Sequence, residues 1–205
     1  MKKRKQLIIP VFIPHEGCPY LCAFCNQSKI TGVNQQSDEI IVSQTIQSYL
    51  DVLDSKNLPE KREVAFYGGS FTGLPEERQK QLLLAVQPSI KSGEVHSIRV
   101  STHSLLVDQH NISLRKGENV KTVELGIQST NDRVLQAVGR PCDFHTVKSA
   151  VDSIRKEKLG LGLQLMPGLP EDDETIFMKS VEDVIGLKPD FVRIYPTLVI
   201  KNTKL

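Results

Sequence analysis

The sequence predicts an α/β fold with parallel strands inside and helices outside. Short β-branched runs alternate with longer segments of helical period through the chain, and glycines and polar residues gather just after those runs. Six strand-then-helix units of this length are expected to pair in parallel. The 205 residues, 39% hydrophobic and 24% charged, are enough to bury one sizeable core, so 1–205 reads as a single domain.

Taken in order, the first strand is expected over 7–14, where the apolar run 7–13 precedes a loop carrying Cys18, Cys22 and Cys25. Val42, Ile46, Tyr49, Leu50 and Leu53 then make one helical stripe. A second strand over 63–69 runs into Gly68-Gly69-Ser70-Phe71, and Leu82, Leu83 and Val86 mark a helix that Pro88 and Gly93 are expected to end. The third strand, 97–103, closes on Ser101-Thr102-His103, and the segment 105–117 behind it is a poorer helix, interrupted by Asn111, Ser113 and Gly117. The fourth strand, 121–128, closes with Glu124, Gly126 and Gln128, and Phe144, Val147, Val151 and Ile154 form the next stripe. The fifth, 161–168, runs through Gln164, Met166 and Pro167, with Ile176, Ser180, Val181, Val184 and Ile185 on the following helix. The sixth strand is expected over 191–197.

Three of the four cysteines fall in the pattern Cys18-x-x-x-Cys22-x-x-Cys25. Thiolates this close on one loop can converge on a metal centre, and three of them can hold three irons of a cubane while the fourth iron stays open. His15 offers a fourth donor, so a zinc site of His15, Cys18, Cys22 and Cys25 stands beside that reading. Disulfides are disfavoured, because three clustered thiols leave one over and no secretory pattern precedes them. Cys142 reads as a small half-buried thiol with no metal role. The apolar runs are too short to span a bilayer, and a net charge of +2 is uninformative about partners. The basic residues Lys2, Lys3, Arg4 and Lys5 read as a solvated terminus. Without Trp and with 5% aromatic residues, the chain lacks the makings of a stacking platform for single strands.

Parallel α/β folds bind ligands at the carboxyl ends of their strands, where the unusual residues of this chain collect. Each also has a structural reading. Gly68-Gly69 suits a tight turn needing positive φ, or a close approach of ligand to backbone. Glu124 suits an ion pair inside the barrel, Gln128 a satisfied core amide, and both suit hydrogen bonds to a ribose or amino group. Arg140 suits a surface ion pair or a carboxylate clamp, and Met166 core filling or a ligand contact.

With Phe24 directly before the last cysteine, the cysteine motif resembles that of the radical S-adenosylmethionine (SAM) superfamily. The segments Phe-Tyr-Gly-Gly-Ser-Phe-Thr (66–72), Val-Glu-Leu-Gly-Ile-Gln-Ser (123–129), Met-Pro-Gly-Leu-Pro (166–170) and 188–197 resemble the elongator protein three group, and the match covers essentially the whole chain. The resemblance implies a partial (β/α)6 TIM-like barrel of the radical SAM type. It also implies a 4Fe-4S cluster on Cys18, Cys22 and Cys25, with the amino and carboxylate groups of SAM on the open iron. By the same resemblance, the backbone of Gly68, Gly69 and Ser70 meets the methionine amino group. Thr102, Gln128 and Gln164 face the ribose, Arg140 faces the carboxylate, and Phe24, Asn26, Met166 and Pro167 border the adenine.

The implied activity is reductive cleavage of SAM to methionine and a 5′-deoxyadenosyl radical that abstracts hydrogen, with tRNA wobble uridine as the substrate. An electron donor such as a flavodoxin or ferredoxin, a cytoplasmic location and no membrane partner go with it. A porphyrinogen-oxidising relative with the same cofactors is the alternative. Two departures stand out. Where the group carries Ser-Thr-Arg-Pro-Asp, this chain has Ser101-Thr102-His103-Ser104-Leu105. It also stops just after the sixth strand, whereas group members continue well beyond and some carry an acetyltransferase domain. The resemblance therefore implies a shortened core without the element that covers one side of the barrel.

Overall fold

Six strands form one parallel sheet in the order of their occurrence: β1 (Gln6–Phe12), β2 (Lys61–Tyr67), β3 (Ser97–Thr102), β4 (Val120–Gln128), β5 (Gly160–Leu165) and β6 (Phe191–Ile194). The structure is a computed structural model and describes residues 6–32, 38–52, 59–109, 111–112 and 117–205. Helices α1 (Gln27–Thr31), α2 (Glu39–Asp51), α3 (Glu76–Lys91), α4 (Asp132–Ala137), α5 (Phe144–Lys156) and α6 (Glu174–Gly186) connect the strands, with 3-10 turns at Phe71–Gly73 and Ser104–Leu106. The sheet curls into a half-barrel with β1 and β6 as its edges, which bears out both the parallel α/β arrangement expected from the alternation and the partial (β/α)6 barrel that the resemblance implies.

Strand parity explains the layering. Val64 and Phe66, Ile98 and Val100, Val123 and Leu125, and Leu161 and Leu163 alternate outward. They pack with Val42 and Ile46 of α2, Leu82, Leu83 and Val86 of α3, and Val147, Val151 and Ile154 of α5, so the main apolar core lies between sheet and helices. Asp38, Asp143 and Asp173 cap α2, α5 and α6 by accepting hydrogen bonds from the N–H groups of Ile41, Thr146 and Ile176 at 2.8, 2.6 and 2.8 Å. Each such cap contributes about 1 kcal/mol.

The inward positions are polar instead. Arg99, 5% exposed, donates to Glu63 Oε2 at 2.8 Å and to Glu124 Oε1 at 2.7 Å. Ser97 Oγ donates to Glu63 Oε1 at 2.8 Å, and the Gln6 amide reaches Glu63 Oε2. Tyr67 donates to Glu124 Oε1 at 2.8 Å and Arg193 Nη1 to Glu124 Oε2 at 3.1 Å. The Arg99 guanidinium lies 4.8 Å from the centroid of the Phe191 ring. Gly162 leaves room for that ring, which a β-carbon there would overlap. Glu124 therefore takes the ion-pair reading, held by two arginines.

Some boundaries differ from expectation. β5 stops at Leu165, because Pro167 has no N–H to continue the ladder. Pro88 does not end α3: it lies in the last turns, where it removes one i→i−4 bond at the exposed Leu84 side, and the helix runs to Lys91 before Gly93 at φ 78°. On α6, Ser180 and Val184 are buried but Ile185 is 64% exposed, so the stripe is narrower than its periodicity suggests. Of the weak helix over 105–117, the described part includes the 3-10 turn Ser104–Leu106. Leu53, Ser113 and the basic terminus lie outside the described residues.

Breaking the inner network is expected to cost more than the network contributes, since it strands a buried charge. Arg99→Met leaves Glu63 without its buried cation and Glu124 with one arginine fewer, and should destabilise the fold by about 3–5 kcal/mol in urea titration. Burial raises the pKa of Glu63, but the Ser97 hydrogen bond and Arg99 outweigh it, so the carboxyl lies below its ordinary value. A depressed carboxylate stabilises the fold above its unfolded pKa, about 4.3, and this stabilisation is lost as pH falls through the folded value. Glu63→Gln should therefore show a shallower loss of stability below about pH 4 than the parent protein. Parallel acid limbs for the two proteins would contradict the assignment.

Candidate functional site

The loop after β1 is an extension of the sheet. Ile13 N donates to Tyr67 O at 2.8 Å, His15 N to Gly68 O at 2.9 Å, and Ser70 N to Glu16 O at 2.9 Å, so the loop pairs with the chain leaving β2. Gly68 takes φ 87°, a conformation that favours glycine. A β-carbon on Gly69 would overlap the carbonyl oxygens of Ile13 and Glu16. Gly68 thus takes the turn reading, and at Gly69 the space of a side chain is filled by the backbone of the cysteine loop. The far side of the loop is pinned by Ala23, which packs with Val134, Val138 and Leu169 and donates its N–H to Val138 O at 2.9 Å. Glu16 pairs with Arg78 of α3 at 3.2 Å.

A cleft of about 550 Å³ opens at the carboxyl end of the half-barrel. Cys18, Cys22 and Cys25 all line it, with Phe24 beside them. Gly68, Gly69 and Ser70 come in from the end of β2, Thr102 from β3, and Gln128 and Arg140 from β4 and the turn after α4. Gln164 and Met166 complete the expected set from β5. Asn26 and Pro167 stand outside the lining. Asn26 caps α1 by accepting from Lys29 N at 3.2 Å, and its amide donates to Asn202 O at 3.4 Å. The Pro167 carbonyl accepts from Thr197 N at 3.1 Å.

Each thiol has its own hydrogen-bond donor. Ser70 Oγ lies 3.7 Å from Cys18 Sγ, Arg140 Nη1 3.4 Å from Cys22 Sγ, and Gln27 Nε2 3.3 Å from Cys25 Sγ. All are free thiols, and burial pushes those of Cys18 and Cys25 up. Among the described residues Arg140 pairs with no carboxylate. Its Nη2 donates to Gly126 O at 2.5 Å, and its Nε is buried without a partner. Gln164 Nε2 donates to Gln128 Oε1 at 3.3 Å, and the hydroxyls of Thr102 and Thr72 share a 2.6 Å hydrogen bond.

His15 is engaged elsewhere, as its Nε2 accepts from Gln27 N at 3.0 Å. Among the described residues, no three His, Cys, Asp or Glu side chains, the three cysteines included, are grouped to hold one metal ion. His103, at the departure from the group pattern, is buried, and its Nε2 has no hydrogen-bond partner. Burial and then Arg140 push its pKa down to about 3, and Nδ1 of the ring accepts from Leu105 N at 3.1 Å.

The structure adds cleft residues that the strand-end pattern did not single out: Tyr67, Arg193 and Tyr195. Their signal was parity, since Tyr67 and Arg193 share the inward phase of their strands with Glu63 and Phe191. Partners contributed by β2 and β6 become visible only once the sheet curls.

A parallel half-barrel with a thiol-lined cleft at its carboxyl end defines an α/β barrel domain, a class whose ligand sites lie at the strand ends. The profile of the radical SAM superfamily matches residues 12–183, and the chain belongs to that superfamily. The family uses a 4Fe-4S cluster and SAM. The chain is 26% identical over 191 residues to "Coproporphyrinogen III oxidase, anaerobic 1" of Cereibacter sphaeroides, a match covering 91% of this chain and 42% of the oxidase. It is 34% identical over 86 residues to a tRNA uridine(34) acetyltransferase of Methanocaldococcus jannaschii, covering 40% of this chain and 16% of that protein. The solved structure of archaeal Methanocaldococcus infernus Elp3 superposes with a TM-score of 0.73 at 20% identity, over 98% of this chain and 48% of that one. The chain thus spans well under two thirds of the length of these relatives. Among the described residues no helix is long and apolar enough to cross a membrane.

The close approach at Gly69 makes a direct prediction. Gly69→Ala must push the cysteine loop off β2, so a disulfide reagent should modify the half-buried Cys18 and Cys25 thiols faster than in the parent protein. Equal modification rates would show that the loop does not depend on this contact.

Proposed function

We propose that this chain is the core of a radical SAM enzyme in which Cys18, Cys22 and Cys25 hold a 4Fe-4S cluster and SAM completes its open iron. The observation that carries the reading is the convergence on one cleft of three free thiols, each met by a donor from a different part of the structure. The residues fit such a group. Hydrogen bonds to cluster thiolates tune the potential, and ligands that bind separate irons of a cubane sit wider apart than those sharing one ion. Bound there and reduced, such a cluster would supply one electron for cleavage of the SAM sulfonium to methionine and a 5′-deoxyadenosyl radical.

The chain's own residues bind and orient. The Gly68–Gly69–Ser70 segment lines the cleft beside Cys18 and is assigned the methionine amino group. Arg140, with a buried unpartnered Nε and no carboxylate partner among the described residues, is assigned the carboxylate. Gln128, Gln164 and Thr102 are assigned the ribose, with Phe24 and Met166 as apolar walls that exclude water from the adenine. Asn26 and Pro167 serve by holding the loops on which these groups stand.

Wobble uridine of tRNA is the substrate we favour, supported by the four motif segments and the likeness to a tRNA uridine(34) acetyltransferase. The longer likeness to an anaerobic coproporphyrinogen oxidase supports a second reading, porphyrinogen oxidation. A flavodoxin or ferredoxin as electron donor and a cytoplasmic setting belong to either.

Anaerobic reconstitution of variants tests the site. Cys22→Ala should lose cluster iron and all formation of 5′-deoxyadenosine, and Cys142→Ala should keep both. Retained cleavage in Cys22→Ala would refute the ligand set. Gln128→Ala should keep its iron but bind SAM about 10- to 100-fold more weakly, the effect of one buried hydrogen bond left unmade. Unchanged affinity would show that the nucleotide lies elsewhere.

A further inference from the structure

The apolar stripe of α6 has a polar member, Ser180, and it is fully buried. The hydrophobic residues around it on the helix, Ile176, Phe177, Val181 and Val184, all pack into apolar clusters. A hydroxyl in such a place costs free energy unless it is hydrogen-bonded, and this one draws its partners from the segment that follows β4. Ser180 Oγ accepts from Thr130 N at 3.0 Å and lies 3.2 Å from Ser129 Oγ, while it donates to Ile176 O of its own helix at 3.2 Å. Further along α6, Asp183 Oδ2 accepts from Thr130 Oγ1 at 2.8 Å. The helix thus clasps residues 129 and 130 through two side chains.

Directly before the clasp stands Gln128, and its backbone is unfavourable. Its φ is 73°, in the left-handed region where a β-carbon meets the following carbonyl. The β4–β5 register skips a residue at the same point, with Gly126 opposite Gln164 and Gln128 opposite Leu165. A residue stays in such a conformation only where its surroundings over-determine it. On the β5 side, Gln128 O accepts from Met166 N at 2.9 Å, and Gln128 Oε1 accepts from Gln164 Nε2 at 3.3 Å. On the other side β4 has ended, and the clasp on residues 129 and 130 takes over the restraint. The turn that carries Arg140 has a separate anchorage, because Val134 and Val138 pack with Ala23 and Leu169.

We infer that Ser180, aided by Asp183 through Thr130, is a positioning residue that holds Gln128 in its left-handed backbone and so aims the amide into the cleft. This role rests on the SAM site proposed above, and it is exerted from a helix face outside that site: Ser129, Thr130, Ser180 and Asp183 do not line the cleft, whereas Gln128 does. With Oε1 taken by Gln164, the orientation held in this way turns the Nε2 donors toward a ligand oxygen. Without the clasp Gln128 relaxes toward negative φ, the amide leaves its place, and its hydrogen bond to the nucleotide goes unmade.

The test is a double-mutant cycle on the full chain, reconstituted anaerobically with iron and sulfide, with the Kd for SAM measured by equilibrium binding. Ser180→Ala should keep the parent's iron content and raise the Kd about 10-fold, the size of one hydrogen bond lost. Thr130→Val keeps the backbone N–H for Ser180 and the volume of the side chain, and should raise the Kd by a smaller factor. In Gln128→Ala protein, adding Ser180→Ala should leave the Kd where Gln128→Ala alone puts it, because the clasp then has no amide to aim. A purely structural serine would lower the urea midpoint without producing this coupling.

Parental SAM affinity in both Ser180→Ala and Thr130→Val would overturn the inference, and so would losses that multiply in the double variant, while either result leaves the SAM reading standing. Where Ser180→Ala does not fold or load iron, the same cycle run with Thr130→Val against Gln128→Ala decides between coupled and independent effects. Iron-loaded parent protein that binds no SAM is a failure of the underlying reading, and this inference falls with it.

Discussion

Everything at the carboxyl end of this half-barrel depends on the contact between the cysteine loop and the turn after β2. The backbone of Ile13 and Glu16 occupies the space a side chain at residue 69 would need, and three backbone hydrogen bonds join the two segments. The turn itself depends on Gly68 at φ 87°. That pairing sets the height of the loop above the sheet, and with it the position of Cys18 beside Ser70. The opposite side is fixed by Ala23 in its small apolar cluster, which brings Cys22 to Arg140. The thiol positions are therefore set by packing on two sides.

Beneath the loop, the half-barrel is filled by charge. An apolar barrel interior would have been compatible with the same outer helices, since the main core lies on the other face of the sheet. The Glu63–Arg99–Glu124–Arg193 chain instead joins β2, β3, β4 and β6 across the concavity. Buried ion pairs give little net stability relative to apolar packing, but they are intolerant of rearrangement, because any shift strands a charge. This suits a half-barrel interior that keeps polar groups at fixed positions beneath the proposed cluster site.

Much of this was legible in the chain. The cysteine spacing and the glycine pair are local features, and the alternation of strands and helices set both the sheet and the end at which functional groups collect. Most of the residues selected at strand ends do line the cleft. The gaps are non-local. Asn26 and Pro167 sit next to the cleft in sequence, yet their polar groups are spent on a helix cap and on Thr197. Tyr67, Arg193 and Tyr195 meet only because β2 and β6 face each other across a curved sheet, and no spacing along the chain encodes that curvature. Pro88 shows the limit of breaker residues, since a proline near a helix end removes one hydrogen bond without stopping the helix.

Membership of the radical SAM superfamily rests on the profile match over residues 12–183, and the proposed cluster site is the step that gives this membership chemical content. The open iron is its testable core. Electron paramagnetic resonance of the dithionite-reduced, iron-reconstituted protein, recorded with and without SAM, addresses it most directly. The proposed site predicts a reduced 4Fe-4S signal that changes when SAM is added. A folded chain that binds one zinc and no iron, or a cluster signal indifferent to SAM, would contradict it.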